Sequence, residues 1–205
     1  MPINLSDQIR KLPVTRALIF EACCAERMYP NYLAFAQVQQ WGNPKALRNG
    51  LDTLWLLASG KVVQEEEVQS LIESCQTIVP DSEEFRSLLT SAAQYAVVAV
   101  IVGLRCYLEQ DTSLAEQVSV AALETIRSYL YQVSSVMVES HVQDIKLIEW
   151  IEKSPLFQAE QDQQEQDIAL LISASGDETE LLATLRQSSL SGGIRPLDRG
   201  FYANV

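Results

Sequence analysis

The 205 residues contain a single histidine, His141, and its isolation removes whole classes of chemistry. The Glu-x-x-His pairs of di-iron carboxylate bundles need two histidines, as do the HExxH zinc proteases. Serine or cysteine catalysis assisted by histidine would have to run through His141, and no strand-turn-helix nucleophile elbow accompanies it. Glycine-rich phosphate loops are missing as well: neither GxGxxG nor the P-loop pattern occurs, so standard nucleotide binding has no support. The four cysteines, Cys23, Cys24, Cys75 and Cys106, form no CxxC pair. That excludes a zinc ribbon or a thioredoxin-type centre and predicts buried, reduced thiols.

Positive charge is also scarce. Lys and Arg number 15 against 27 acids, a net charge of -12, with no basic patch, so the surface repels phosphate backbones and anionic lipid headgroups. Neither nucleic acid nor a membrane is expected as a partner. Glycine and proline are few, at 8 and 7, while 47% of residues are apolar, which describes a globular chain and not a disordered one. At this length one domain buries roughly 70–75% of its unfolded surface and needs no metal or disulfide to hold a core. The first residues, Met1 to Asp7, lack the basic, apolar, small-residue order of a signal peptide, which leads to an expectation of a cytoplasmic protein.

Period-two alternation between tight turns is absent, and helical punctuation recurs throughout. Ser6 opens a short helix ending before Pro13. A second spans about Val14 to Tyr29, with Val14, Ala17, Leu18, Ala25 and Met28 on one stripe. Pro30 suits the first turn of a third helix carrying Tyr32, Leu33, Phe35 and Val38, which implies a sharp corner. Asn43-Pro44 caps a fourth helix through Trp55 and Ala58, which Gly60 ends. A fifth covers about Val62 to Ile78. Pro80-Asp81-Ser82 restarts the chain, with Glu83 and Glu84 in the first turn of an element reaching Glu109 and breaking near Thr90 and Ser91.

Ser87 to Leu104 carries no charged residue over 18 positions, near the length that spans a bilayer. Ser87, Thr90, Ser91 and Gln94 crowd its first half, so it reads as a core helix. Its small residues Ala92, Ala96, Ala99 and Gly103 form a ridge that lets another helix approach closely. Ser113 and Glu116 have capping-box spacing for a long helix from about Leu114 to His141. After Pro155 the run Gln158 to Asp167 is almost wholly Gln, Glu and Asp and reads as a solvent-facing helix start. Gly176 and Asp177 precede a last helix to about Gln187. The fold class is therefore all-α: a single-domain bundle of eight or nine helices around a central apolar helix, residues 92–108, and the long helix after it. The domain covers 1–187, and 188–205 is an irregular or mobile tail.

Five polar residues stand out against this background. Glu21 falls inside the second helix's apolar stripe, where burial would raise its pKa unless a cation or donors meet it. The reading is open between an internal pairing and a functional acid. Glu26, Arg27 and Tyr32 crowd the corner: Arg27 can fork onto a carboxylate or phosphate with Tyr32 as a wall, or Glu26 and Arg27 can lock neighbouring helices. Asp52 lies one turn before Trp55. No catalytic residue, cofactor-binding residue, metal ligand or cofactor is assigned.

The run Cys23-Cys24-Ala25-Glu26-Arg27-Met28-Tyr29-Pro30-Asn31-Tyr32, with Phe35 beyond it, resembles the YjaG-like bacterial proteins, a family of unknown function. The likeness continues through Leu51, Asp52, Trp55 and Lys61, through Val79-Pro80 to Phe85, through Pro155, Glu160 and Asp162, and ends at Gly193-Ile194. It implies an all-helical, cytoplasmic bacterial protein with no assigned activity or cofactor. Two expectations of function result. The first is a non-catalytic interaction module that self-associates or docks a protein partner. The alternative is a small-ligand-binding protein or enzyme with a pocket at the Glu26–Tyr32 corner, in which these groups converge unpaired.

Overall fold

A computed structural model of the chain describes residues 5–137, 144–174 and 178–192. Among the described residues the chain forms nine helices and no strand: α1 (Leu5–Ile9), α2 (Val14–Gln39), α3 (Pro44–Ala58), α4 (Glu65–Gln76), α5 (Thr90–Glu109), α6 (Leu114–Met137), α7 (Asp144–Glu152), α8 (Pro155–Ser173) and α9 (Glu178–Ser191). The all-helical expectation holds. The apolar helix α5 is central as expected, packed by α2, α3, α4 and α6, and α2 shares the centre by touching α3, α5, α6, α8 and α9.

Every residue of α2 from Ala17 to Met28 is buried, because helices close on all its sides; a helix in that setting has no solvent face to spare. The helix does not stop at Tyr29. It runs unbroken through Pro30 to Gln39, so the expected corner and separate third helix are corrected to one 26-residue element. Proline inside a helix removes one backbone bond and crowds the carbonyl four residues back, at a cost of about 3 kcal/mol. Burial of Met28, Asn31, Tyr32 and Phe35 on the turns flanking Pro30 offsets it.

The α3 start matches the sequence signal: the Asn43 side chain accepts the Ala46 N–H at 3.1 Å, Pro44 fills the first turn, and Gly60, at φ 78°, follows the helix end. The ridge on α5 does what small residues allow. A Cβ on Gly103 would lie 2.7 Å from Leu54 Cδ2, and one on the facing Gly50 would lie 2.9 Å from Val100 Cγ1. The α3–α5 crossing depends on both glycines.

Other ends differ from expectation. Asp81 to Leu89 is a turn-rich link and not the first turn of a helix. Asp81 accepts the Glu83 N–H at 2.8 Å through its side chain and the Phe85 N–H at 2.9 Å through its carbonyl, which closes a local turn. The break expected near Thr90 is the actual start of α5, with Thr90 Oγ1 donating to the Phe85 carbonyl at 2.7 Å. At α6, Asp111 accepts the Ser113 N–H at 2.9 Å, while Glu116 turns away to Arg10, just past α1, at 2.8 and 2.5 Å. His141 lies outside the described residues. The last helix reaches Ser191, four residues past the expected end, and 193–205 of the expected tail lie outside the described residues.

The Gln158–Asp167 run is helical but not turned wholly to solvent. Glu160, Gln164 and Asp167 are buried, on one stripe with Phe157, Ile168 and Leu171. Positions 157, 160, 164, 167, 168 and 171 recur every three or four residues, so the face of α8 that meets the core is polar through its middle and apolar at its ends.

Candidate functional site

Glu26 and Arg27 are consecutive on a buried helix and so point about 100° apart. Arg27 reaches toward α8 and Glu26 toward α3.

The Arg27 guanidinium forks onto Glu160, Nε to Oε2 at 2.9 Å and Nη2 to Oε1 at 2.9 Å, while Nη1 donates to Asp167 Oδ2 at 2.8 Å. Nη2 also lies 3.5 Å from the Cys24 sulfur. Gln164 fastens the carboxylate from the far side by donating to Glu160 Oε1 at 2.9 Å and to the Ser119 carbonyl of α6 at 3.2 Å; it accepts from Ser119 Oγ at 2.6 Å. Gln163 donates to Asp167 Oδ1 at 2.9 Å. Burial alone would lower the Arg27 pKa, but Glu160 and Asp167 reverse this and hold it well above its ordinary value. One cation meets two carboxylates, all buried. Such an arrangement contributes little net stability against apolar packing, but fixes which helix faces which.

On the other side, Glu26 accepts Arg48 at 2.6 and 3.0 Å and the Trp55 indole N–H at 2.8 Å. Asp52 receives Arg48 at 2.7 Å and Arg186 of α9 at 2.8 Å on the same oxygen. Arg48 lies over the Tyr29 ring at 5.1 Å and Arg186 over the Trp55 ring at 5.4 Å. Burial lowers the Arg48 guanidinium, but Glu26 and Asp52 outweigh it and the pKa is raised. Two acids thus balance two arginines at the rim where α2, α3 and α9 meet.

Tyr32 occupies a third setting. Its hydroxyl donates to the Ile78 carbonyl at 3.2 Å and accepts the Asn43 N–H at 3.1 Å, tying α2 to the ends of α3 and α4. Gly42 makes room for it: φ is 92°, and a Cβ there would sit 2.4 Å from the Tyr32 oxygen.

Glu21 occupies a fourth. Neither carboxyl oxygen has a hydrogen-bond partner of good geometry, and the side chain is buried. Burial pushes its pKa well above the carboxylate range, opposed only by the Cys106 thiol of α5. Its charged form is thereby disfavoured. All four cysteines are buried and free, and burial raises Cys23 to about 12 and Cys75 to about 11.

Of the five residues the sequence singled out, the structure brings only Glu26 and Asp52 together, through Arg48. Arg27, Tyr32 and Glu21 belong to three separate settings. None of the five lines the depression of about 300 Å³ bordered by Leu33, Gln37, Trp41 and Pro44 at the end of α2. Among the described residues, no three His, Cys, Asp or Glu side chains form a metal-ligating group. Sequence reasoning missed Glu160 and Asp167 as partners of Arg27, Gln164 as the brace on Glu160, and Arg48 and Arg186 as partners of the acids. For α8 the signal was present in the helical spacing of the three polar residues. For Arg186 there was none, because its partner lies 134 positions away.

Comparison with known proteins agrees with this architecture. The model of a family described as "Protein of unknown function (DUF416)" matches residues 4–196. The uncharacterized protein YjaG of Escherichia coli K12 is 31% identical over 84 residues, and its counterpart in Salmonella typhimurium is 29% identical over 84 residues. In both cases the matched stretch covers 41% of this chain and 41% of the relative. The crystal structure of a DUF416 family protein from Shewanella baltica OS155 superposes with a TM-score of 0.80 at 18% identity, covering 92% of this chain and 94% of that one. At that identity the likeness establishes the fold.

Proposed function

The chain belongs to the DUF416 family of proteins of unknown function, the YjaG-like family to which the Glu26–Tyr32 run pointed, and from that premise we propose that it is a non-catalytic, cytoplasmic interaction module that docks a protein partner. The observation that carries the reading is the apolar surface of α7. Arg127 of α6 pairs with Glu152 of α7 at 3.2 Å, and one turn further along each helix Tyr131 and Ile148 are 52% and 47% exposed. Trp150, 52% exposed, stands on the other shoulder of the buried Ile151. Ile148 and Trp150 stand in water on opposite flanks of this short helix, and exposed aromatics such as Trp150 anchor protein interfaces.

Further support comes from the polar groups that a ligand site at the Pro30 region would have used. Glu26, Arg27, Tyr32 and Asp52 are all engaged by other parts of the fold. The acidic surface favours a protein over nucleic acid or an anionic membrane.

The test is sedimentation of the purified chain, alone and mixed with extract from its native host, against the Ile148→Glu/Trp150→Glu variant. Assembly by the wild type that the variant loses at an unchanged unfolding midpoint supports the reading. A strictly monomeric wild type that behaves identically to the variant in both conditions refutes it.

A further inference from the structure

The face of α2 that carries Cys23 and Arg27 is covered by α9, and that helix is weakly held. Of the 14 residues of α9, only Leu185 and Ser189 are buried, whereas α5 buries eleven of its 20. Its one extensive helical neighbour is α2. Beyond the stripe Leu181, Leu182, Leu185 and Ser189, it is fastened by Glu178, which meets Arg16 of α2 at 3.8 Å, and by Arg186, which bonds Asp52 at 2.8 Å and lies over Trp55. Arg186 and Asp52 are 40% and 49% exposed, so water and salt weaken this clasp.

What α9 covers is the part of the interior least dependent on being dry. Ser189, whose hydroxyl donates to the Leu185 carbonyl at 2.8 Å, sits beside the Cys23 thiol, and the backbone of Gly192 comes close to Arg27: a Cβ there would lie 3.9 Å from Arg27 Cδ. Exposing an apolar core forfeits its whole driving force. Exposing Arg27 returns to water a charge whose burial was costly. Proteins open locally along the boundary where least is lost. Here that boundary runs between α9 and the rest of the fold.

The geometry points to α9 as a clasped cover that lifts from the folded body as a unit and uncovers Cys23 and Arg27 on α2. This inference is independent of the α7 surface. Closed, the Cys23 thiol is silent, since burial raises it to about 12. Opened, the thiol comes within reach of a reagent in water, so its modification reports the opening.

The experiment is native-state thiol modification of the full, reduced chain with an aromatic disulfide reagent, the modified positions being located by peptide mass spectrometry. Cys75 of α4, which lies against Gly50 of α3, and Cys106 of α5, which lies beside Glu21 of α2, serve as internal controls. Cys23 should react before both in the wild type, and faster still at high salt. Arg186→Ala, which removes the clasp while leaving a strong helix former in place, should accelerate Cys23 about tenfold with Cys75 and Cys106 unchanged. The inference is overturned if the wild-type cysteines react at one common rate, since α9 then leaves only in global unfolding. It is overturned equally if Arg186→Ala leaves Cys23 unchanged or speeds every cysteine alike. Should the variant not fold, the salt dependence of Cys23 against Cys75 in the wild type decides.

Discussion

Arg27 of α2 and Glu160 of α8 meet in a two-point fork at 2.9 and 2.9 Å with side chains 1% and 3% exposed, and this pair decides how α8 sits on the bundle. α8 offers only Phe157, Ile168 and Leu171 as buried apolar anchors, so its rotation about its own axis is specified by charge in its middle turns. Replacing Arg27 by Met should therefore cost about 3–5 kcal/mol in denaturant unfolding, because Glu160 and Asp167 are left buried and unpaired. Adding Glu160→Met and Asp167→Leu should return most of that loss, leaving a difference of about 1 kcal/mol or less, since an apolar set of similar volume has no charges to desolvate. If the single and triple variants are equally unstable, Arg27 acts through packing volume alone.

The sequence reading located the helices better than their inward faces. Asn43-Pro44 and Gly60 bounded α3 correctly because capping and termination are local chemistry, settled within a few residues. The polar run on α8 read as solvent-facing because its counter-charge lies 133 and 140 positions away, and no local rule pairs residues at that distance. Glu21 was found because it broke a clean apolar stripe. Pro30 misled because a proline's local preference is strong, and only tertiary burial overrides it.

Glu21 gives a pH signature. Its folded pKa is raised well above 4.5, so between that value and the folded pKa the native state holds a proton the unfolded chain has released. The penalty is absent below pH 4.5 and grows as pH rises, with a slope of about 1.4 kcal/mol per pH unit. Glu21→Leu removes the group and its unpartnered oxygens. The variant should match the wild type most nearly in acid and become progressively more stable than it toward neutrality. Parallel stability curves for the two proteins would mean that Glu21 is solvated or paired.

Gly42 and Tyr32 should be coupled. Gly42→Ala places a Cβ where the Tyr32 hydroxyl sits, at a φ that side chains resist, and should cost about 1–3 kcal/mol. Tyr32→Phe alone loses the bonds to Ile78 and Asn43. In the Tyr32→Phe background Gly42→Ala should cost about 1 kcal/mol less, a coupling that a double-mutant cycle reads directly. Strict additivity would show that backbone strain accounts for the whole effect.

Pro30 tests the continuity of α2 itself. Because the helix passes straight through this position, Pro30→Ala supplies an N–H for the Glu26 carbonyl four residues back and removes the ring from its path. The gain opposes a more flexible unfolded chain, worth about 0.4–1 kcal/mol, against a helix-interior penalty of about 3 kcal/mol. The net expectation is a stabilisation of about 2 kcal/mol, seen as a higher denaturant midpoint at unchanged slope. Pro30→Gly should fall about 1 kcal/mol short of Pro30→Ala, as glycine does in any helix interior. Were the segment instead two helices joined at a corner, the alanine would forfeit a favourable first-turn proline, and stability would drop.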